Sequence, residues 1–249
     1  MAATEPSAED VFLSICAPAY NEEETIEMVV RRWAQVLTEN KVPGEIIIGN
    51  DGSTDGTAAI LGRLQGDLPC VHVVDLPKNR GYGAALSAAV AASRGKYVLT
   101  LDSDGQFDAG EFPVLLAELQ RGGYDLVTGY RQRKRDRITR VLADRAFNLM
   151  VRGLFGLPLR DTNCALKLIE GQAARALKVD ARGFPTPTEL LVKAETLGYR
   201  IGEVGITHHE RAGGTTKLNA VRTSWQIAAF LVYLKYKQIL YRARILNSF

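Results

Sequence analysis

The chain has 249 residues, of which 46% are hydrophobic and 24% charged, and its formal net charge is +3. These values are ordinary for a globular protein and exclude an intrinsically disordered or low-complexity chain. The N-terminus is acidic and lacks the apolar core of a signal peptide, and the uncharged stretch 223–234 is too short to span a bilayer. We therefore expect one large domain that does not cross a membrane by itself.

Positive charge is concentrated in the second half of the chain. Residues 131–160 carry nine Arg and Lys against two Asp, and residues 211–249 carry seven against no acidic residue. These segments together carry +14, so the rest of the chain carries −11. The separation predicts an anionic partner for the second half, and the alternative is a pair of solvated helical faces. The basic residues lack the interleaved aromatics of a nucleic-acid module, so no nucleic acid partner is expected.

The three cysteines stand at positions 16, 70 and 164. Their odd number and wide spacing fit neither a disulfide framework nor a pair of metal ligands. We therefore expect buried thiols in a reducing compartment, which favours a cytoplasmic location.

In the first half of the chain, strand-like and helical segments alternate. Five apolar runs have the length of strands, at residues 12–18, 45–51, 71–76, 96–102 and 124–130. The segments between them have the composition of helices, and this alternation is typical of a parallel sheet with helices on both faces. The near-continuous Val, Ile and Leu content of the runs agrees, because such strands are buried on both sides.

From about residue 137 the pattern becomes mainly helical. A helix is followed by a turn-and-strand region, a helix over 186–197, a further strand and a final helix over about 219–246. The final helix is amphipathic, and its apolar stripe comprises Ile227, Phe230, Leu231, Leu234, Tyr241 and Ile245. We expect this stripe to lie on a membrane surface or, alternatively, to pack on the protein's own core or on a second subunit.

The ends of the predicted strands are polar or glycine-rich, and one of them reads "LDSDGQF". In an open parallel sheet, ligands bind at the carboxyl ends of the strands. Asp102 and Asp104, with the carbonyl oxygen of Gln106, could hold a hard divalent cation, Mg²⁺ or Mn²⁺, and leave positions for substrate phosphate. The alternative is a simple turn, because Asp, Ser and Gly are common in turns.

Seven motifs occur together, in the order "PAYNEEETI", "NDGSTDGT", "NRGYGAA", "LDSDGQFD", "GYR", "RDTNCALKL" and "HERAGGTTK". The set resembles the family-two GT-A glycosyltransferases, specifically the dolichyl- or polyprenyl-phosphate mannose and glucose synthase group, over about residues 12–217. The resemblance implies an α/β fold of the GT-A, Rossmann-like type, with a mostly parallel central sheet. The expected organisation is a flexible 1–10, a GT-A domain over 11–218 and a C-terminal amphipathic helical segment over 219–249. Within the domain, 11–130 would bind the nucleotide sugar and 131–218 the acceptor.

The resemblance also implies roles for individual residues. The nucleotide base and ribose would be held by side chains at the first two strand ends: Pro18, Tyr20, Asn21, Glu22 and Asp51. Asp102 would face the ribose and the metal, and Asp104 with Gln106 would bind the metal on the donor diphosphate. Phosphate groups would be met by four basic residues, which are Arg131, Arg145, Arg211 and Lys217.

Two acidic residues are candidates for the acceptor side. Glu189 and Asp161 could each be a general base or an orienting group, or could have a structural role such as helix capping. A lipid phosphate acceptor is already ionised at neutral pH and needs no base, whereas an alcohol acceptor does need one.

The expected function is metal-dependent, inverting transfer of a hexose from a nucleoside diphosphate sugar, of the GDP-mannose or UDP-glucose type, to a polyprenyl or dolichyl phosphate. The first alternative is the same donor chemistry on a soluble acceptor. The second is a non-catalytic scaffold that binds the nucleotide sugar. A location at the cytoplasmic face of a membrane fits the lipid acceptor, and a homo-oligomer is left open.

Overall fold

The structure is a computed structural model that describes residues 11–132, 138–181, 183, 185–209, 220–247 and 249, with no side chains described at 138–143 and 220–226. The strands are β1 Leu13–Ala19, β2 Gly44–Asn50, β3 Val71–Asp75, β4 Tyr97–Thr100, β5 Leu126–Arg131, β6 Lys167–Glu170 and β7 Ile201–Ile206. The α-helices are α1 Ile26–Glu39, α2 Thr57–Asp67, α3 Tyr82–Ala92, α4 Phe112–Gly122, α5 Ile138–Phe155, α6 Gly171–Ala176, α7 Thr186–Thr196 and α8 Ala220–Arg242.

The described strands form one sheet in the order β3-β2-β1-β4-β6-β5-β7. β1 pairs in parallel with β2 and β4, β2 pairs in parallel with β3, and β5 pairs in parallel with β7. β6 is antiparallel to both of its neighbours, β4 and β5. The prediction of a mostly parallel sheet is therefore confirmed, and the "turn-and-strand" region supplies the antiparallel strand that joins the two halves.

Hydrophobic cores lie on both faces of the sheet. Alternate residues of β1 point to opposite faces, so Leu13 and Ile15 join the core that contains Trp33 of α1, whereas Cys16 joins the core that contains Leu191 of α7. The first core also receives α2 and α4, and the second receives α3, α6 and α8. Two covered faces explain why the strands are apolar throughout.

Helix α3 packs unusually close to its neighbours because two positions lack a side chain. A Cβ added at Gly49 of β2 would lie 2.1 Å from the carbonyl oxygen of Ala85, and one added at Gly83 would lie 1.9 Å from the carbonyl oxygen of Ala181. Only glycine permits these approaches. As a result, the N-terminal end of α3 reaches the edge of the sheet where the strands end.

The apolar stripe of α8 packs on the protein itself. Leu231 and Leu234 are fully buried in the second core, and Ile227, Phe230 and Tyr241 pack against it. The C-terminal end of the predicted stripe is not buried. Helix α8 ends at Arg242, and Ile245, which lies beyond it, is 67% exposed. The expectation that this stripe faces a bilayer is therefore wrong, and packing on the protein's own core is what the structure contains. Among the described residues, no helix has the length and apolar character that crossing a bilayer requires.

The cysteines differ in accessibility, which predicts their reactivity. Burial raises the pKa of the Cys16 thiol and raises that of Cys164 to about 12, whereas Cys70 is only half-buried and has a smaller rise from the same cause. Since the thiolate is the reactive form, we expect only Cys70 to react readily with a thiol reagent in the native protein at mildly alkaline pH. All three cysteines of the chain should react in denaturant. Fast modification of native Cys70→Ser protein would contradict this assignment.

Candidate active site

The candidate site lies where β1, β2 and β4 end, at one edge of the sheet. The loops that follow these strands carry Asn21, Asp51 and Asp102 respectively. Helix α3 begins at the same edge, and the hydroxyl of Tyr82, its first residue, donates a hydrogen bond to Oδ1 of Asp102 at 2.7 Å. The packing of α3 therefore sets the position of one of the two carboxylates predicted to bind a metal.

The "LDSDGQF" segment is a turn held by its own side chains. β4 ends at Thr100, two residues earlier than predicted, so Asp102 and Asp104 lie in the following loop. Oδ1 of Asp104 accepts from the backbone N–H of Gln106 at 3.0 Å, and Gly105 adopts a positive φ of 77°. The hydroxyl of Ser103 donates to the carbonyl of Pro18 at 2.8 Å and joins this turn to β1.

The charges of both carboxylates affect the same phenol. The pKa of Tyr82 is raised well above its usual value, first because the hydroxyl is buried and then because of the negative charges of Asp102 and Asp104. Tyr82 therefore stays neutral and keeps donating to Asp102. Asp104 itself is 4% exposed.

This donor set fits a cation that is shared with a substrate. In the described part of the chain, His, Cys, Asp and Glu form no group of three or more that could hold a metal alone. Mg²⁺ usually binds through one or two carboxylates together with substrate phosphates, and keeps several waters. Asp102, Asp104 and Gln106 thus fit a Mg²⁺ or Mn²⁺ ion whose remaining ligands are water and the oxygens of a substrate diphosphate.

The carboxylate of Asp51 holds the loop in front of α3. It is 2% exposed, and its two oxygens accept from the backbone N–H groups of Arg80 at 2.7 Å and of Gly81 at 2.8 Å. Gly81 has a φ of 95°, which glycine adopts without strain. The sequence did not reveal this positioning contact, and contact of Asp51 with a nucleotide base stays a prediction.

The residues predicted to line the nucleotide also join β1 to the loop after β2. Asn21, with a positive φ of 54°, accepts at Oδ1 from the backbone N–H of Thr54 at 2.8 Å. Oε2 of Glu22 accepts from the hydroxyl of Thr25 at 3.1 Å. Tyr20 is 43% exposed, which leaves its ring accessible to a ligand. Asn21 and Glu22 therefore shape the loop that presents Tyr20.

Arg131 and Asp161 form a buried, two-point ion pair. Nε and Nη2 of Arg131 donate to the two oxygens of Asp161 at 2.7 and 3.0 Å, and Nη2 lies 3.4 Å from Oδ2 of Asp144. Burial alone would lower the pKa of Arg131, but the bonds to Asp161 and the charge of Asp144 outweigh it and raise the pKa. The side chains are 9% and 3% exposed. Arg131, predicted to bind phosphate, and Asp161, a candidate base, are thus paired with each other.

The other predicted phosphate ligands lie elsewhere. Arg145 is exposed on α5, next to Asp144. Arg211 and Lys217 lie outside the described residues. The segment that follows β7 lies beside the acidic turn, because the backbone N–H of His209 donates to the carbonyl of Gln106 at 2.9 Å.

Glu189 is fully buried and holds a loop. Its Oε1 and Oε2 accept from the backbone N–H groups of Asp180 and Ala181, both at 2.7 Å. Nζ of Lys193 lies 3.0 Å from Oε1. A carboxylate whose two oxygens are occupied in this way is poorly placed to accept a proton from a substrate. Of the roles predicted for Glu189, the structural one fits this geometry.

Lys167 is a buried cation that the sequence analysis did not identify. It lies in β6, level with Thr100 of β4 and Thr128 of β5, and its Nζ donates to the carbonyl of Cys164. Burial lowers its pKa to about 8, although the charges of Asp161 and Asp102 favour the protonated form. The available signal was a lysine inside the apolar run "CALKLI".

The family model for glycosyl transferase family 2 matches residues 14–168. The chain belongs to this family, and it is a glycosyltransferase. The resemblance seen in the motifs is therefore confirmed, and so is the GT-A type of fold.

Curated relatives are similar along most of this chain. The chain is 28% identical over 242 residues to dodecaprenyl-phosphate galacturonate synthase of Rhizobium johnstonii, a match that covers 94% of this chain and 70% of that protein. It is 31% identical over 212 residues to undecaprenyl-phosphate 4-deoxy-4-formamido-L-arabinose transferase of Pectobacterium atrosepticum, covering 84% and 63%. It is 33% identical over 225 residues to glycosyltransferase AglD of Haloferax volcanii, covering 87% and 36%. The chain thus matches less than two thirds of the second and third of these relatives.

A solved structure has a similar fold. Glucosyl-3-phosphoglycerate synthase from Mycobacterium tuberculosis, in complex with Mn²⁺, UDP-glucose and glycerol 3-phosphate, superposes with a TM-score of 0.69 at 27% identity. The match covers 91% of this chain and 80% of that chain.

The Arg131–Asp161 pair predicts a large penalty when one partner is removed. Asp161→Ala leaves a buried guanidinium whose remaining carboxylate partner among the described residues is Asp144, so we expect about 3–5 kcal/mol lower free energy of unfolding in urea. The double variant Arg131→Met/Asp161→Leu should lose less than the sum of its single variants. As a control, Arg121→Ala, which breaks an exposed pair with Glu118, should cost at most about 1 kcal/mol. Additive single and double effects would contradict the pairing.

Proposed function

We propose that this glycosyltransferase transfers a hexose from a nucleoside diphosphate sugar to a polyprenyl phosphate, with inversion and with the help of Mg²⁺ or Mn²⁺. The observation that carries the proposal is the pair of carboxylates, Asp102 and Asp104, in one turn at the edge of a GT-A sheet, where Tyr82 donates to Asp102 and the backbone N–H of Gln106 donates to Asp104. Two relatives whose names include a polyprenyl phosphate support the acceptor. A neighbour crystallised with Mn²⁺ and UDP-glucose supports the donor class.

Asp102, Asp104 and Gln106 would hold the divalent cation. When bound, the cation would stabilise the negative charge of the departing diphosphate. Tyr82 orients Asp102 through its hydrogen bond, and the backbone N–H of Gln106 orients Asp104. These two bonds keep both carboxylates in place before a substrate arrives, which lowers the reorganisation needed in the transition state.

The donor nucleotide would lie against the loops after β1 and β2. Pro18, Tyr20 and Asn21 belong to the first of these loops or to the end of β1, and Asp51 begins the second. Arg211 and Lys217, outside the described residues, would close over the diphosphate and add positive charge as the leaving group develops. Arg145, exposed near the buried Arg131 pair, is the better placed of the two arginines to meet an acceptor phosphate.

The state of the acidic residues favours a phosphate acceptor over an alcohol. An alcohol must lose a proton and needs a general base, whereas a phosphate oxygen is already ionised. Asp161 is ion-paired with Arg131, and Glu189 accepts from two backbone amides. Neither predicted base is therefore disposed to take a proton. This geometry fits a nucleophile that arrives as an anion, at the cytoplasmic face of a membrane for a lipid acceptor.

A soluble phosphate-bearing acceptor is a second candidate. It is favoured by the similarity to glucosyl-3-phosphoglycerate synthase, which extends over 80% of that chain. The donor chemistry would be the same, but the nucleophile would be a hydroxyl group of the phosphate-bearing acceptor, which needs a general base.

Donor binding should depend on the cation and on Asp104. We expect one class of nucleotide sugar, with Mn²⁺, to raise the melting temperature by roughly 5–10 °C at saturating concentration. Asp104→Asn should remove this shift because the cation loses a charged ligand, while an amide oxygen can still accept from Gln106. Asp108→Asn is the matched control, because Asp108 makes the equivalent bond to the N–H of Gly110. A metal-independent shift, or equal shifts in both variants, would count against the metal site.

The acceptor is tested by following the sugar label. Protein, Mn²⁺, radiolabelled donor and either polyprenyl phosphate or 3-phosphoglycerate are incubated and then extracted into organic solvent. We expect label in the organic phase with the polyprenyl phosphate only. Label that stays in a new water-soluble product would support the second candidate. Donor binding without any turnover would leave the scaffold as the remaining explanation.

A further inference from the structure

An open cavity of about 650 Å³ lies on the α8 side of the molecule. One wall is the loop 78–80 with Ala84 of α3, and the opposite wall is the segment 179–181 with Tyr233 of α8. None of the residues predicted for the donor or the cation lines it. The proposed function therefore leaves this cavity without a role.

The cavity carries positive charge that is not neutralised. Lys78 and Arg80 are exposed, and neither side chain has an ion-pair partner among the described residues. The acidic residue of the lining, Asp180, already accepts from Lys193 at 3.1 Å and from Lys237 at 2.6 Å. Burial would raise the pKa of Asp180, but these two lysines outweigh it and lower the pKa. Asp180 is thus a paired carboxylate, whereas Lys78 and Arg80 line the cavity without an ion-pair partner in the part of the chain that the structure describes.

Both walls of the cavity are fixed from behind by buried carboxylates. Asp51 accepts from the backbone N–H groups of Arg80 and Gly81, and Glu189 accepts from those of Asp180 and Ala181. The walls therefore keep their spacing without a ligand. Little binding free energy is then lost in ordering them when a ligand binds between them.

An exposed apolar surface adjoins the cavity at Tyr233. Val232, Tyr236 and Ile239 are 66%, 61% and 53% exposed, and their spacing along α8 places them on one side of the helix. This side is opposite to the buried stripe, which contains Leu231 and Leu234. Tyr233, itself 46% exposed, belongs both to this surface and to the cavity lining. Two cations and an apolar helix face are thus neighbours.

We propose that this cavity binds the phosphate group of an anionic membrane phospholipid, with the lipid's hydrocarbon along the exposed face of α8. Cations attract anionic headgroups, and tyrosine side chains sit well at the boundary between headgroups and acyl chains. The site anchors the enzyme to a bilayer through the outer face of α8, whereas the inner face packs on the core. The proposal does not depend on the sugar or on the acceptor.

Vesicle sedimentation tests the cationic part of the site. Full-length protein is mixed with phosphatidylcholine vesicles, with and without phosphatidic acid. We expect binding only with phosphatidic acid, and about thirtyfold weaker partitioning for Lys78→Ala/Arg80→Ala. The control Lys96→Ala/Arg121→Ala removes the same charge from exposed positions elsewhere and should partition like the wild type to within about threefold. Equal binding of the two double variants, or equal binding to neutral vesicles, overturns the proposal.

The apolar part and the source of the phosphate are tested next. Val232→Ser/Ile239→Ser should also weaken partitioning, because it removes the surface that would contact hydrocarbon. If this variant binds like the wild type and inorganic phosphate displaces both from the vesicles, the cavity takes free phosphate and the lipid proposal fails. If polyprenyl phosphate in neutral vesicles is bound more tightly than phosphatidic acid, the cavity prefers the polyprenyl phosphate, and the proposal of a phospholipid site fails.

The outcome can be separated from that of the proposed function. The Mn²⁺-dependent thermal shift with a nucleotide sugar is measured on the same protein preparations, and it should persist in the cavity variant if the fold is intact. A wild type that transfers sugar but ignores anionic vesicles overturns the lipid site alone. A wild type that binds the vesicles but shows neither donor shift nor transfer overturns the proposed function alone.

Discussion

The candidate site depends on a buried carboxylate that accepts hydrogen bonds from backbone amides. Asp51, at the end of β2, fixes the N–H groups of Arg80 and Gly81, and thereby sets where α3 begins. Because α3 begins there, Tyr82 reaches Asp102. A charged acceptor forms stronger bonds to N–H groups than a neutral one, and it is costly to leave such amides unpaired in a buried place. The position of Asp102, a predicted metal ligand, thus depends indirectly on the hydrogen bonds that Asp51 accepts, because they position the helix that carries Tyr82.

The same device recurs in this fold. Glu189 holds the amides of Asp180 and Ala181, and Glu45, which is 2% exposed, accepts from the amide of Arg94 and the hydroxyl of Ser14. Each of these carboxylates would be unfavourable if buried alone, and each is compensated by N–H or O–H donors. Glu189 and Glu45 also form ion pairs, with Lys193 and Arg94 respectively. Acidic residues that look catalytic in a sequence can therefore have both oxygens engaged by the protein itself, as Glu189 and Asp161 do.

Much of the fold was predictable because it follows from local patterns. The parallel strands are continuous apolar runs, and their polar ends placed Asp51 and Asp102 at one edge of the sheet. The site was less predictable because its contacts join distant segments. Arg131 meets Asp161 across 30 residues, and Tyr82 meets Asp102 across 20. Hydrophobic periodicity gives no information about such pairs. The sequence therefore predicted a phosphate ligand at Arg131 and a possible base at Asp161, but not the ion pair between them.

The sequence alone determined the class of fold, the family and the group of residues that could bind a nucleotide sugar and a cation, because these depend on hydrophobic periodicity and on short motifs. Only the tertiary structure decided what the apolar stripe of α8 packs against. Leu231 and Leu234 meet the second core, and Val232, Tyr236 and Ile239 remain outside. An apolar stripe does not specify its own partner, so the choice rests on how well the stripe fits the second core, with ion pairs from Lys237 to Asp180 and from Arg242 to Glu195 beside it.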